Sequence, residues 1–251
     1  MKNDVKSVFI SGVSSGIGFA LATLYLSKGW TVYGLSRKPP QALMENKNLK
    51  FKHCDLQNFR YTAGFFENQF LPIREHGVSI VYLNAGISGG TPKFARDVTL
   101  EDIQDTMFVN VIANKLLLDA FMSLPKRPNI CVASASIAGV RFRAGMLPYS
   151  LSKSALLALF GTYANEYPDV FFAAIGMCNV DTKLSNEIVF SPRAANFSDH
   201  IALQKKFNSP NYVVSPDERA GELFSIVNAI PENGISSGQF IEIRDIISRR
   251  N

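Results

Sequence analysis

Val8-Phe9-Ile10-Ser11-Gly12-Val13-Ser14-Ser15-Gly16-Ile17-Gly18 is the stretch that decides the reading of this chain. A short apolar run without alternation suits a strand buried on both faces. It passes directly into three spaced glycines, and helix-type sequence follows over 16–28. The glycines have separate physical jobs. One permits a tight turn, one lets backbone amides approach a pyrophosphate, and one allows close helix–sheet packing. The helix then turns its positive dipole end towards the phosphates. A glycine-rich turn with no ligand is the plain alternative. Its position directly after the first strand favours dinucleotide binding, with Gly12, Ser14, Ser15, Gly16, Ile17 and Gly18 as candidate contacts.

Outward from this loop, β-like and helical runs alternate. Strands are expected over 8–11, 31–35, 49–53, 79–83, 130–133, 170–176 and 239–243, and helices over 16–28, 61–74, 100–122, 149–166 and 216–230. Such alternation implies β-α-β units, and hence an α/β, doubly wound Rossmann-type parallel sheet with helices on both faces. No linker divides the chain, so residues 1–251 read as a single dinucleotide-binding catalytic domain. The polar segment 184–214, broken by Pro192 and Pro210, reads as an insertion that covers the substrate, because long loops in compact domains are usually lids.

Composition narrows the function classes. The 251 residues are 47% hydrophobic and 19% charged, which excludes disordered, collagenous and coiled-coil chains. The net charge of +5 is scattered, with no basic helix or run, so neither nucleic acid nor a membrane surface is expected as a partner. Three separated cysteines, Cys54, Cys131 and Cys178, make neither a disulfide framework nor a zinc site, and His53, His76 and His200 lack ligand spacing. No metal is therefore expected. No signal peptide fits the Met1-Lys2-Asn3-Asp4 start, and no apolar run is long enough to span a bilayer. A cytoplasmic location is the expectation.

Two further clusters carry chemistry. The second strand ends in Leu35-Ser36-Arg37-Lys38, with no carboxylate to accept from a ribose 2′-hydroxyl or repel a 2′-phosphate. Arg37 suits a 2′-phosphate, so NADPH is expected over NADH; a merely solvated Arg37-Lys38 turn is the alternative. Tyr149 and Lys153 lie four apart on one helix face. A lysine ammonium beside a tyrosine favours the phenolate, which lets the hydroxyl donate and recover a proton near neutral pH. A serine hydroxyl from Ser134-Ala135-Ser136 can bond the developing alkoxide. Alone, Tyr-x-x-x-Lys is an ordinary helix pair.

Taken together, Ser11-Gly12-x-x-x-Gly16-x-Gly18, Asp55-Leu56, Asn84-Ala85-Gly86, Asn110, Ser136 and Tyr149-x-x-x-Lys153 resemble the short-chain dehydrogenase/reductase family over nearly the whole chain. The resemblance implies that Asp55 and Leu56 line an adenine pocket and that Asn84-Ala85-Gly86 supports the sheet beside the cofactor. It implies Asn110 as holder of a relay water, Ser136 as carbonyl orienter, Tyr149 as acid/base, and Lys153 as ribose ligand and pKa-lowering charge. The family's usual Pro-Gly after the sixth strand is replaced by Cys178-Asn179, while Val180-Asp181-Thr182 still fits contacts to the nicotinamide amide through Val180 and Thr182. A buried structural thiol is the expected reading of Cys178. The tail, 215–220 and 238–245, is similar to the sepiapterin-reductase and benzil-reductase branch, which reduces dicarbonyls or pterin side-chain ketones.

Substrate contacts are expected from Arg141, Phe142 and Met146 in the loop before Tyr149, and from Glu242 on the last strand. Arg141 and Arg143 would bind an anionic substrate, or else are solvated loop charges. Glu242 would hold an amino-pyrimidine edge, or else pairs with Arg244. The function expected is NADPH-dependent reduction of a ketone or dicarbonyl. The rivals are an acyl-carrier, sugar or steroid-like substrate, and a non-catalytic NADPH-binding sensor. The family's helices also pair between subunits, so a homo-oligomer, dimer or tetramer, is implied.

Overall fold

The first strand, β1 (Ser7–Ser11), is buried along its whole length, and its neighbours in the computed structural model run parallel to it. The other strands are β2 (Thr31–Ser36), β3 (Leu49–His53), β4 (Ile80–Leu83), β5 (Ile130–Ala135), β6 (Phe171–Gly176) and β7 (Phe240–Glu242). They make one sheet in the order β3-β2-β1-β4-β5-β6-β7, parallel at every pairing. The structure describes residues 6–58, 65–210, 212–230 and 234–250. The chain builds outward from β1 to β3, then returns to β4 beside β1. The crevice beyond the strand ends at this reversal is where open α/β sheets bind ligands.

Side chains alternate between two apolar layers. Val8 and Ile10 face one layer with Val132 and Ile175, under α1 (Gly16–Ser27), α9 (Pro216–Val227) and α10 (Ile243–Arg250). Phe9 faces the other with Val81, Cys131 and Phe172, under α5 (Ala113–Met122) and α6 (Leu147–Glu166). Within the first layer the buried Tyr25 and Tyr82 hydroxyls satisfy each other at 3.0 Å.

The expected strands are present within about two residues at each end, and the helices differ more instructively. Helix α6 starts at Leu147, because Pro148 is tolerated in a first helical turn. The stretch expected as one helix over 100–122 is divided into α4 (Leu100–Met107), a π-helical turn (Phe108–Ile112) and α5. Of the helix expected over 61–74, residues 61–64 lie outside the described residues. The rest forms α2 (Phe65–Gln69) and α3 (Leu71–His76). The 184–214 segment is not a plain loop. It carries most of α7 (Lys183–Val189), a 3-10 turn (Pro192–Asn196) and α8 (Ser198–Phe207), anchored by buried Ile188, Val189 and Leu203; Asn211 lies outside the described residues. The chain also continues past β7 into α10, held by fully buried Ile243 and Ile246. Among the described residues no helix is long and apolar enough to cross a membrane.

Candidate active site

A cavity of about 1040 Å³ lies along the carboxyl ends of β1, β2, β4, β5 and β6. One end is the glycine loop, where Gly12, Ser14, Ser15, Gly16 and Ile17 face the space. Gly12 has φ +80°, and a Cβ there would sit 3.1 Å from the Ala85 backbone. Gly18 does not line the cavity. A Cβ on it would fall 2.2 Å from the Gly12 carbonyl oxygen and 2.5 Å from Asn84 Nδ2, so its work is packing α1 against the loop. The N-cap of α1, Ser15, makes no side-chain capping bond, which leaves the first-turn amides to an anion.

Asn84 ties the strand ends together. Its Nδ2 donates to the Ser11 carbonyl at 3.2 Å, its Oδ1 accepts from Ser134 Oγ at 3.1 Å, and the Ser11 hydroxyl accepts from the Asn84 and Ala85 amides at 3.0 and 3.1 Å. Ala85 and Gly86 thereby form the cavity floor. Ser36, Arg37 and Lys38 close one side, Arg37 and Lys38 exposed at its lip, and Asp55 with buried Leu56 follows from β3. Asp55 Oδ1 accepts from the Gln57 amide at 3.1 Å, which shapes that turn. An uncapped helix end, a positive-φ glycine and two exposed cations at the end of β2 fit a dinucleotide carrying an extra phosphate.

Ser136, Tyr149 and Lys153 meet on the opposite wall. Ser136 caps the 3-10 turn Ile137–Gly139 by accepting from the Ala138 amide at 3.2 Å. Tyr149 sits in the first turn of α6 and Lys153 one turn later, its Nζ 5.4 Å from the Tyr149 ring centre. Lys153 donates to the Ser134 carbonyl at 2.8 Å. Burial pushes the Tyr149 hydroxyl up to about 12, against the pull of the Ser136 hydroxyl. Burial also pushes Lys153 down to about 8. The expectation that Lys153 lowers the Tyr149 pKa is therefore not met by the protein alone; desolvation dominates both groups.

Asn110 is 1% exposed and does not line the cavity. The π-turn carries it behind the wall, where its Nδ2 donates to the Ile87 carbonyl and to Ser152 Oγ, both at 2.9 Å, and its Oδ1 accepts from the Ile87 amide at 2.9 Å. Its carbonyl accepts from Asn114 Nδ2 at 2.8 Å. Its side-chain amide clamps the 86–87 loop to α6, and a water held by Asn110 would have to use its main-chain carbonyl.

The segment after β6 crosses over the glycine loop. Thr182 caps α7 by accepting from the Ser185 amide at 3.2 Å, and its methyl would lie 3.3 Å from a Cβ on Gly16. Val180 is buried and bridges to Val214. Cys178, where the family usually has proline, adopts φ +55°. It is half-buried and lines the cavity, more open than the buried structural thiol expected; burial raises its pKa, which keeps it a protonated, weakly reactive thiol.

Among the expected substrate contacts, Arg141 and buried Met146 line the cavity. Phe142 does not. It is 71% exposed, because the turn after Val140 points it to solvent. Glu242 lines the cavity at 7% exposure, but its carboxylate is taken by the Arg244 guanidinium and the Cys178 thiol, so the structural pairing is the one observed. Sequence reasoning passed over Leu203, Phe207 and Tyr212, which reach the cavity from the 184–214 segment. The i, i+4 spacing of Leu203 and Phe207 was the available signal.

A family model described as short chain dehydrogenase matches residues 6–190. The benzil reductase ((S)-benzoin forming) of Bacillus subtilis (strain 168) is 27% identical over 250 residues, covering 95% of this chain and 98% of the relative. The NADPH-dependent pterin aldehyde reductase of Arabidopsis thaliana is 30% identical over 167 residues, 64% of this chain and 69% of the relative. Among solved structures, an alcohol dehydrogenase from the archaeon Thermococcus sibiricus, complexed with 5-hydroxy-NADP, superposes with a TM-score of 0.72 at 22% identity, covering 95% of this chain and 96% of that one. With the matched stretch running from the glycine loop through Ser136, Tyr149 and Lys153, this chain belongs to the short-chain dehydrogenase family, a family of oxidoreductases.

Proposed function

We propose that the chain reduces a ketone or dicarbonyl to an alcohol with NADPH, using Tyr149 as the proton donor. The observation that carries this reading is the convergence of Ser136, Tyr149 and Lys153 on the cavity whose other end is the uncapped glycine loop. Arg37 and Lys38 would hold the 2′-phosphate, and the loop amides the pyrophosphate. The reduced nicotinamide, when bound, supplies a hydride to the carbonyl carbon. Tyr149 gives its proton to the carbonyl oxygen; a hydroxyl held up near 12 is fully protonated at neutral pH and ready to donate. Ser136 donates a hydrogen bond to the same oxygen and strengthens it as charge develops. Lys153, fixed by the Ser134 carbonyl, would hold the nicotinamide ribose and stabilise the phenolate left by proton transfer.

The relatives named for benzil and pterin aldehyde reduction support a carbonyl substrate, and the names of two relatives state dependence on NADPH. The 184–214 segment covers the substrate end in this reading. The reading also includes a cytoplasmic homo-oligomer, for which exposed Leu100 and Leu151 on α4 and α6 offer apolar contact; sedimentation would measure it. The test of function is NADPH oxidation against a panel of diketones, pterins, quinones, aldehydes and acyl thioesters. Oxidation with a dicarbonyl supports the reading, and cofactor binding with no reduction of any carbonyl defeats it.

A further inference from the structure

We propose that the substrate end of the cavity recognises an anionic oxygen group, carboxylate or phosphate, carried on an apolar carbonyl compound, through Arg143 with Arg141 as its outer partner. The inference rests on the carbonyl-reductase reading and names the substrate class within it.

Both arginines line the cavity, Arg143 half-buried and Arg141 exposed. Three other arginines are answered at close range: Arg219 by Glu222 at 2.7 Å, Arg127 by Asp169 at 3.1 Å, and Arg244 by Glu242. Among the described residues, no carboxylate comes within 4.0 Å of Arg141 or Arg143. Two like charges stand close enough for Arg141 to act on Arg143, which already loses solvent to burial. The groups that face Arg143 do not neutralise it. Glu242 is held by Arg244, Asp199 is exposed on α8, and Tyr212 brings a phenol, not a carboxylate. His200, fully buried beside it, bonds the Ala144 carbonyl at 3.0 Å and is pushed towards its neutral form by burial. It fixes the 141–146 loop to α8 without supplying charge.

A half-buried, unpaired guanidinium beside a second one is costly for the empty protein, and an oxyanion relieves that cost by bidentate bonding. Met146, Ile188, Leu203 and Phe207 supply apolar wall in the same cavity. The ligand that fits therefore has an apolar body, a carbonyl for Tyr149 and an anionic end for Arg143. An aryl oxo-acid is the simplest compound of this kind.

The test compares an aryl oxo-acid, its methyl ester and a phosphate-bearing aryl ketone with wild type, Arg143→Ala, Arg143→Lys and Arg141→Ala. Wild type should show a kcat/KM for the acid or the phosphate at least about tenfold above the ester, falling with added salt. Arg143→Ala should lower that ratio by about 10- to 100-fold, the range for a hydrogen bond to a charged group. Arg143→Lys should keep part of it, and Arg141→Ala should lose less. The better of acid and phosphate identifies the anion. A wild-type ratio near one, or equal losses for acid and ester in Arg143→Ala, overturns the proposal and leaves the Arg143 stem as cavity wall. Titration of the NADP⁺-loaded protein with the corresponding aryl hydroxy-acid and its ester reads the same ratio without turnover. An anion preference that depends on Arg143 in a protein that reduces no carbonyl would remove the catalytic reading and keep the anion site. Reduction without anion preference would do the reverse.

Discussion

The two ends of the cavity are made in different ways. At the glycine loop, backbone shapes the cavity: the constraints lie in Gly12, Gly18, Ser11 and Asn84, and the distances that matter are set by main-chain atoms and short polar side chains. At the substrate end, the walls are side chains from the 141–146 loop, from α7 and α8, and from β7 and the residues after it. A backbone site tolerates few residues and leaves a motif. A side-chain site tolerates many combinations, and it leaves a shape and a charge that emerge only when distant segments meet.

Substitutions can break this contrast, beginning with the wall the two ends share. Tyr149→Phe keeps the ring and removes the proton donor; turnover should fall by about 10²- to 10⁴-fold while NADPH titration stays near normal. Full activity in this variant would end the mechanism. Gly18→Ala places a methyl where 2.2 Å separates it from the Gly12 oxygen, and should destabilise the fold by about 3 kcal/mol, at the upper end of overpacking costs. Denaturant unfolding measures this, and a loss under 1 kcal/mol, roughly the bottom of that range, would show that the loop yields. Arg37→Ala should weaken NADPH by about 1.5–3 kcal/mol and barely alter NADH, because only the former carries the 2′-phosphate. Equal losses for both would refute the cofactor assignment.

A smaller effect has the opposite sign. Lys153 is held down to about 8 by burial, against an ordinary value of 10.5. Below pH 8 the folded protein carries a charge it has desolvated, so Lys153→Met should raise stability by about 1–2 kcal/mol there while abolishing turnover. Between about 8 and 10.5 the folded state releases this proton before the unfolded state does, so wild-type stability rises with pH and the variant's advantage shrinks. Melting temperatures across that range check the sign. The smallest effect belongs to Phe142→Ser: at 71% exposure and outside the cavity, it should change stability by no more than about 0.5 kcal/mol and leave kinetics unaltered.

The sequence by itself determined the parallel α/β frame, because strands buried on both faces must be continuous apolar runs, and Val8–Ile10, Val32–Leu35 and Phe171–Ile175 could hardly be anything else. It also determined the glycine loop and the Tyr149–Lys153 pair, since each needs a fixed residue type at a fixed short spacing. Tertiary structure alone decided what those residues experience. Burial, which no local spacing encodes, pushes Tyr149 and Lys153 in opposite directions, and the π-turn between α4 and α5 turns Asn110 into a clamp on Ile87 and Ser152. The 184–214 segment reads as polar in sequence because one side of each short helix faces water. Only in the fold do Leu203 and Phe207 line one cavity with Met146, and only there, among the described residues, does Arg143 stand with no carboxylate within 4.0 Å. A wall shared by residues 57 or more apart, counting from Met146 to Leu203, is set by how the chain returns to the sheet, and no run of neighbouring residues records that return.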